Sequence, residues 1–355
     1  MSVLDKGKKR FFLMYDLARE FPWRRAIKLH DTGADLVVWI HHASPKPWWK
    51  YLLRGDFILK DAGLIAALVE AKIPYRIVTG DKVEALRDER IVYSIFEYNP
   101  ERRRNYSAGL VEALRSIEAR GNTLFPSADE AEWWENKVFM HERFEALGVR
   151  CPATVLDRVA DDLHVEKFEF PLLVKEPHSQ GSAGLHKVEN AEALRRLRAE
   201  FRSHGEPEVL IQELLDMSRD LRVTMVGDKI VHHYFRINTT EEWQPTSTRR
   251  GSLVDFETFP EQWRDHIIST FTRLGMHTGA FDICWEGDDL DTEPIFLEVS
   301  PAYTPNPPPP AAFSGQPYYA FKQQLTGPDS FGTAFVRIVF DIQRMVLSEW
   351  DLAAG

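Results

Sequence analysis

Hydrophobic and polar positions change their period along the chain. From residue 34, short runs rich in β-branched and aromatic residues, ADLVVWI (34–40), PYRIVTG (74–80) and RIVYSIF (90–96), alternate with DAGLIAALVEA (61–71) and AGLVEALRSIEARG (108–121). In the second kind apolar residues recur three and four apart, the helical spacing, and each ends on polar residues or glycine. The alternation predicts an α/β layer with largely parallel strands over residues 1–125. SADEAEWWENKVFMHERFEALG (127–148) then predicts one helix, with Ser127 as N-cap, Glu130 completing a capping box and Gly148 as the stop.

Beyond it the spacing predicts a strand FPLLVKEP (170–177), a loop HSQGSAG (178–184), a strand LHKV (185–188), a helix ENAEALRRLRAEF (189–201) and a strand PEVLIQELL (207–215). LRVTMVG and KIVHHYFRI flank a Gly-Asp-Lys turn at 227–229 and read as a hairpin. A helix follows over PEQWRDHIISTFTRLG (260–275), and GAFDICWEG (279–287) with EPIFLEVS (293–300) form a second hairpin. That pairing sets Asp282 and Glu298 on neighbouring strands. The last apolar helix, FGTAFVRIVFDIQRMVLSEW (331–350), could serve a dimer as readily as a core.

At 355 residues, with 44% hydrophobic and 28% charged, the chain is globular and long enough for two or three packed units. A net charge of -10 leaves no global field favouring nucleic acid or an anionic membrane, so a bound anion needs local cations. Cys151 and Cys284 are far apart and no CxxC occurs, which suggests neither a disulfide framework nor a zinc site, and suits a reducing compartment. The first residues lack a signal-peptide pattern and no segment reaches the roughly 18 apolar residues of a membrane span, so the chain reads as cytoplasmic.

Lys175 ends the run LLVK just before a loop holding Ser179, Gly181, Ser182, Ala183 and Gly184. Small residues let backbone N–H groups approach phosphate oxygens and the ammonium supplies charge, although a lone Gly/Ser turn after a lysine is more often only a turn. Asp282 and Glu298 sit in otherwise apolar strands, where an unpartnered carboxylate is costly. A single such acid usually finds an arginine or lysine. Two on adjacent strands, downstream of a phosphate-type loop, suit Mg²⁺, which takes one or two carboxylates and fills its octahedron with water and phosphate oxygens. Arg222, Arg236, Arg249 and Arg250 lie in or just after the first hairpin, and Arg236, inside an apolar strand, most needs an anion.

Weaker signals have plainer readings. His232 and His233 read as core or surface histidines, and His41 with His42 as part of a βα loop. Trp48, Trp49, Trp133 and Trp134 read as packing residues, ERRR (101–104) as a solvated turn, and PNPPPP (305–310) as a polyproline surface connector.

In this order, over roughly residues 120–305, the parts resemble the ATP-grasp superfamily, in particular carboxylate-amine ligases similar to ribosomal-protein glutamate ligases, glutathione synthetases and D-alanyl-D-alanine ligases. The resemblance implies an N-terminal α/β domain (1–125), a central lid subdomain (126–215) and a C-terminal subdomain carrying the metal site (216–355), with α+β antiparallel sheets in the ATP-grasp part. Lys137 and Lys175 would reach ATP phosphates, and Ser179, Gly181, Ser182 and Gly184 would close over them. Gln212, Glu213 and Leu215, in IQELL, would form the hinge whose backbone reads adenine, and Asp220 would support the ribose. Arg236 would steady the γ-phosphate and acyl phosphate, and Arg250 in TRRGS would serve the substrate loop. Asp282 and Glu298 would hold Mg²⁺, or Mn²⁺ in its place. Ser300 stands where the family usually has asparagine, and Glu242, Trp243, Gln244 and Pro245 replace its usual polar cluster.

The implied chemistry is ATP-dependent activation of a small-molecule or peptide carboxylate as acyl phosphate, then capture by an amine. An ATP-grasp kinase acting on a hydroxyl and a non-catalytic nucleotide-binding scaffold are the alternatives, the second motivated by Ser300.

Overall fold

The computed structural model describes residues 3–41, 55–95, 106–161, 168–179, 184–240, 242–249, 251–327, 329–350 and 352. Gly181, Ser182 and Arg250, and with them His42, Trp48, Trp49 and the 101–104 charge run, lie outside the described residues.

Two helices open the chain, α1 (Val3–Glu20) and α2 (Trp23–Leu29), neither among the elements expected from the periodicity. Basic residues crowd the start of α1 and leave a short apolar stripe, Leu13, Met14 and Leu17, that is used only because another helix covers it. The chain continues through β1 (Leu36–Ile40), α3 (Gly55–Ala71), β2 (Arg76–Thr79), β3 (Arg90–Tyr93), α4 (Tyr106–Glu118) and β4 (Thr123–Phe125). Their order is β2-β1-β3-β4 and every pairing is parallel, as the alternation predicts. β1 is apolar almost throughout because both faces are covered: Leu36 and Val38 join one core cluster, Val37 and Trp39 another.

The single helix expected over 127–148 is two, α5 (Ala128–Ala131) and α6 (Lys137–Ala146). The capping box forms as expected, but Glu135 takes a φ of 49° and Asn136 accepts from the Phe139 N–H to start a new helix. The break lets adjacent tryptophans serve different cores, Trp133 the later antiparallel sheet and Trp134 the parallel layer.

Glu130 does more than cap. Its buried carboxylate accepts from the His277 N–H at 2.8 Å and sits 3.0 Å from His277 Nδ1, so it ties α5 to the start of a distant strand. Burial works against the Glu130 charge, yet the His277 and Ser127 donors hold its pKa below 4.5, while Glu130 raises His277 above 6.5. The histidine's share of stability is complete below its unfolded value and is lost as pH rises through the raised one. The glutamate's share is present above its unfolded value and lost as pH falls through the lowered one. Glu130→Ala is expected to cost about 2–3 kcal/mol at neutral pH, read from thermal unfolding, and to flatten stability against pH at both edges.

β5 (Thr154–Arg158), β6 (Leu172–Lys175), β7 (Leu185–Val188), α7 (Ala191–Ser203) and β8 (Glu208–Glu213) make an antiparallel sheet of order β5-β8-β6-β7. α7 lays Leu194 and Phe201 on it, and Arg198 of α7 donates at 2.7 and 3.0 Å to Asp157 of β5. Gly184 turns the β6–β7 hairpin at a φ of 65°, where a Cβ would meet the Glu176 carboxylate carbon at 2.5 Å.

The last sheet is β11-β10-β9-β12-β13, from β9 (Arg219–Val226), β10 (Lys229–Ile237), β11 (Leu253–Asp255), β12 (Thr278–Cys284) and β13 (Ile295–Ser300), with α8 (Arg264–Leu274) on one face. Both predicted hairpins form, and Asp282 stands directly opposite Glu298. A short helix α9 (Tyr318–Phe321) and the long α10 (Phe331–Glu349) finish the chain. α10 turns back to α3 and α1 of the parallel layer, so its apolar face serves a core. Gly63 of α3 permits the contact, since a Cβ there would lie 3.1 Å from Gln343 and 3.3 Å from Val339.

The proline run corrects the expectation of a surface connector. Pro305, Asn306 and Pro307 are buried, Asn306 Nδ2 donates to the Tyr234 hydroxyl at 2.6 Å, and Tyr318 donates to the Pro307 carbonyl at 2.6 Å. Prolines suit this buried path because they carry no N–H that would need a partner.

Candidate active site

A cleft of about 1600 Å³, counted to its open mouth, separates the second and third sheets. Leu173 and Lys175 of β6, Leu185 of β7, and Gln212 with Glu213 of β8 form one wall. Asp220 and Arg222 of β9, Arg236 of β10, Asp282 of β12, and Glu298 with Ser300 of β13 form the other. The period-2 alternation of the strands aims these side chains to one face while Leu221, Val223 and Phe281 fill the opposite one.

Two aspartates and two arginines interlock on the second wall. Arg222 Nη2 donates to Asp282 Oδ2 at 2.8 Å, and Arg236 Nη2 lies 2.9 Å from the same oxygen. Arg236 also forks onto Asp220, with Nε 2.9 Å from Oδ1 and Nη2 on Oδ2. Burial opposes the Asp282 charge, but the two guanidiniums hold its pKa down to about 2. Asp220 has one arginine, greater burial and Asp282 as a like-charged neighbour, and lies above the ordinary aspartate value. Both acids therefore have the arginine partners that an isolated strand acid would be expected to find.

Glu298 differs: it lines the cleft and makes no ion pair within 4 Å among the described residues. Lys175 faces it across the cleft. Desolvation lowers the Lys175 pKa to about 8, with Lys137 pushing the same way and Glu298 the main opposing influence. Behind them, burial and the charges of Lys175 and Lys137 hold His141 of α6 neutral, its pKa down at about 3, with its Nδ1 unpartnered among the described residues and its Nε2 3.4 Å from the Gln212 amide.

Several expected residues have local tasks. Lys137 donates to the Ser179 carbonyl and fastens the start of the Gly/Ser loop to α6; neither residue lines the cleft, nor does Gly184. The Glu213 N–H donates to Ala153 at 3.0 Å, so of the hinge expectation that donor is already taken, and the Gln212 amide donates to Thr154 at 2.7 Å. Leu215 lines the cleft beside Leu214 and Met217. The Ser300 hydroxyl donates to the Ala302 carbonyl at 3.1 Å, closing a turn of its own chain.

Among solved structures, the chain matches D-alanine–D-alanine ligase from Bacillus anthracis complexed with ATP, with a TM-score of 0.54 and 14% identity over 89% of this chain and 98% of that one. A RimK domain ATP-grasp protein from Sphaerobacter thermophilus gives 0.53 and 14% identity over 88% and 98%. D-cycloserine synthetase DcsG gives 0.52 and 12% identity over 87% and 99%. The chain has the ATP-grasp fold. No family model and no curated protein matches the sequence.

Sequence reasoning left out His141, behind Lys175, and the cleft residues Tyr234, Asn306 and Lys322. Asn306, hidden in the proline run, lines the cleft beside Tyr234, and Lys322 reaches it from beyond α9, donating to Thr248 at 3.0 Å. His141 had a helical signal only. An asparagine set amid prolines was the cue the sequence held. Among the described residues no group of three or more His, Cys, Asp or Glu side chains could hold a metal alone. The donor set fits an ion that takes one or two carboxylates and completes its shell with phosphate: Glu298 has no ion pair among the described residues, and Asp282 is its register partner. No helix among the described residues is long and apolar enough to cross a membrane.

Proposed function

We propose that the chain is an ATP- and Mg²⁺-dependent ligase that activates a substrate carboxylate as acyl phosphate and joins it to an amine. The supporting observation is one cleft of an ATP-grasp fold that opposes Lys175 and an apolar hinge to Glu298 and a guanidinium pair. Leu173, Leu185, Leu214 and Met217 offer an apolar lining for a base, and Lys175 would meet the phosphates beyond it. Glu298 and Asp282 would hold Mg²⁺, which supplies charge neutralisation on the phosphates when bound. Arg236 and Arg222, preorganised by the aspartates, present N–H donors where negative charge spreads over the transferred phosphoryl group.

A carboxylate oxygen of the acid attacks the γ-phosphorus, the bond to the β–γ bridging oxygen breaks, and ADP leaves. The amine nitrogen then attacks the acyl carbon, the carbon–oxygen bond to phosphate breaks, and the amine proton ends on the departing phosphate. Incubation with ATP, Mg²⁺, a panel of acids and hydroxylamine is expected to yield a hydroxamate. A stable phosphorylated alcohol would mark a kinase instead, and tight nucleotide binding without turnover a scaffold.

Lys175 gives the site a pH signature. Its pKa of about 8 leaves it charged at neutral pH, and above that value a triphosphate must draw a proton onto it to bind. ATP affinity is expected to fall about tenfold per pH unit above that point, with proton uptake on binding measured by calorimetry in buffers of different ionisation enthalpy. Lys175→Ala should weaken ATP and remove both effects.

A further inference from the structure

Half of the large apolar side chains left exposed among the described residues fall within α1 and α2. Phe11 is 67% exposed and Ile27 74%, and Tyr15 and Trp23 are also more than half exposed. Phe11, Tyr15 and Ala18 recur four and three apart, so they share one face of α1, and all three are exposed. Trp23 Nε1 donates to the Ala18 carbonyl at 2.8 Å, which lays the first residue of α2 against the end of that row, and Ile27 stands one turn further along α2. The core does not use this row. α1 packs Leu13, Met14 and Leu17 into the cluster of Phe335 and Val339 of α10, and α2 gives Ala26 and Leu29 to the core of the parallel layer. A surface helix needs one apolar stripe; α1 carries a second, turned to solvent. The charge around it is opposite in sign to that of the whole chain. α1 and α2 hold eight Lys and Arg against three Asp and Glu, a local excess of positive charge on a chain of net charge -10. Two of those acids are engaged internally, Asp16 with Arg19 and Thr333, and Glu20 with Arg19 and Arg337. Lys8, Arg24, Arg25 and Lys28 are exposed and make no ion pair among the described residues. Lys8 lies three residues before Phe11 and Arg24 three before Ile27, so the free bases flank the apolar row.

We propose that the α1–α2 face docks on an anionic membrane surface, with Phe11, Tyr15, Trp23 and Ile27 entering the headgroup layer and the free bases meeting lipid phosphates. Aromatic and branched aliphatic side chains flanked by Lys and Arg form the composition that partitions into a bilayer interface, where each base near the surface raises affinity about fivefold. Screening over about 8 Å at physiological salt makes this local charge, and not the total of the chain, what a membrane meets. A nucleic acid would use the bases and leave four apolar groups in water. An acidic protein would need a groove of its own to cover a ridge of side chains more than half exposed, whereas a fluid interface takes up the ridge as it stands. The inference is independent of the ligase reading, since none of these residues lines the cleft.

The test uses the full chain and sucrose-loaded vesicles of phosphatidylcholine, alone or with about one-third phosphatidylglycerol, read by co-sedimentation at physiological salt. Binding is expected to be at least about 100-fold tighter on the anionic vesicles. Phe11→Ser/Ile27→Ser removes apolar surface and no charge, and should weaken that binding at least about tenfold while the thermal midpoint moves by no more than about 2 °C, since both side chains are exposed. If this variant does not fold by circular dichroism, Tyr15→Ser takes its place with the same expected direction. Arg24→Glu/Lys28→Glu should abolish the preference for anionic lipid. Equal binding to both vesicles, or anionic binding that a folded Phe11→Ser/Ile27→Ser chain retains in full, would overturn the proposal. So would binding to duplex DNA or polyglutamate as tight as to anionic vesicles, which would give the face to a nucleic acid or an acidic protein. Dimerisation in solution that the same variant abolishes, read by analytical ultracentrifugation, would give it to a second copy of the chain and overturn the proposal as well.

Discussion

Replacing Glu298 with glutamine is expected to lower ATP-dependent turnover by about 1000-fold while shifting the thermal midpoint by no more than about 2 °C. The two halves of this expectation have one cause. Glu298 lines the cleft without an ion pair among the described residues, so folding gains little from its charge. An amide of the same shape preserves packing and removes the oxygen charge that a divalent ion bound against phosphates requires. Lys175 registers the change independently, because Glu298 is the main influence supporting its charge. In the variant Lys175 should titrate lower still, and the pH above which ATP affinity declines should move down with it. Steady-state kinetics, thermal unfolding and a pH series of ATP titrations check the three parts. Turnover within tenfold of the unaltered chain would remove Glu298 from the metal site.

Arg236→Met is expected to behave in the opposite manner, damaging the fold as well as the activity. Among the described residues Arg236 is the only arginine that forks onto Asp220, and the Asp220 side chain is about 2% exposed. Removing one member of a buried ion pair costs about 3–5 kcal/mol, because the remaining charge is left without solvent or partner. Asp282 suffers less, since Arg222 still holds it. The double variant Arg236→Met/Asp220→Asn should recover most of the stability, as the orphan charge is gone, and none of the turnover, as the guanidinium proposed to face the phosphoryl group is still missing. Denaturant unfolding followed by circular dichroism gives the first quantity and ADP release the second. Recovery of both in the double variant would show that Arg236 serves the fold alone.

The ion-pair network also explains why the site is guarded. The two aspartates and two arginines neutralise one another, while Glu298 lines the cleft with no ion pair among the described residues and Lys175 faces it. Asp282 would be freed for a divalent ion only if nucleotide phosphates drew both Arg222 and Arg236 away from it.

Local chemistry was legible from the residues themselves. The period of two and a short hairpin connection place Asp282 and Glu298 on facing strands, the capping box starts α5 at Ser127, and the alternation of strand and helix patterns over residues 34–125 gives a parallel layer, because each is written in the pattern of consecutive segments. What lay beyond the sequence depends on groups brought together from far along the chain. No spacing rule links Arg236 to Asp220 and Asp282 at once, separates Trp133 from Trp134 into different cores, or buries a proline run under Tyr234 and Tyr318. Nor does the sequence of α10 say whether its apolar face meets another chain or, as the structure has it, α3 nearly three hundred residues earlier. Apolar periodicity states that a face must be covered; it is non-directional, and only the packed tertiary arrangement decides by what.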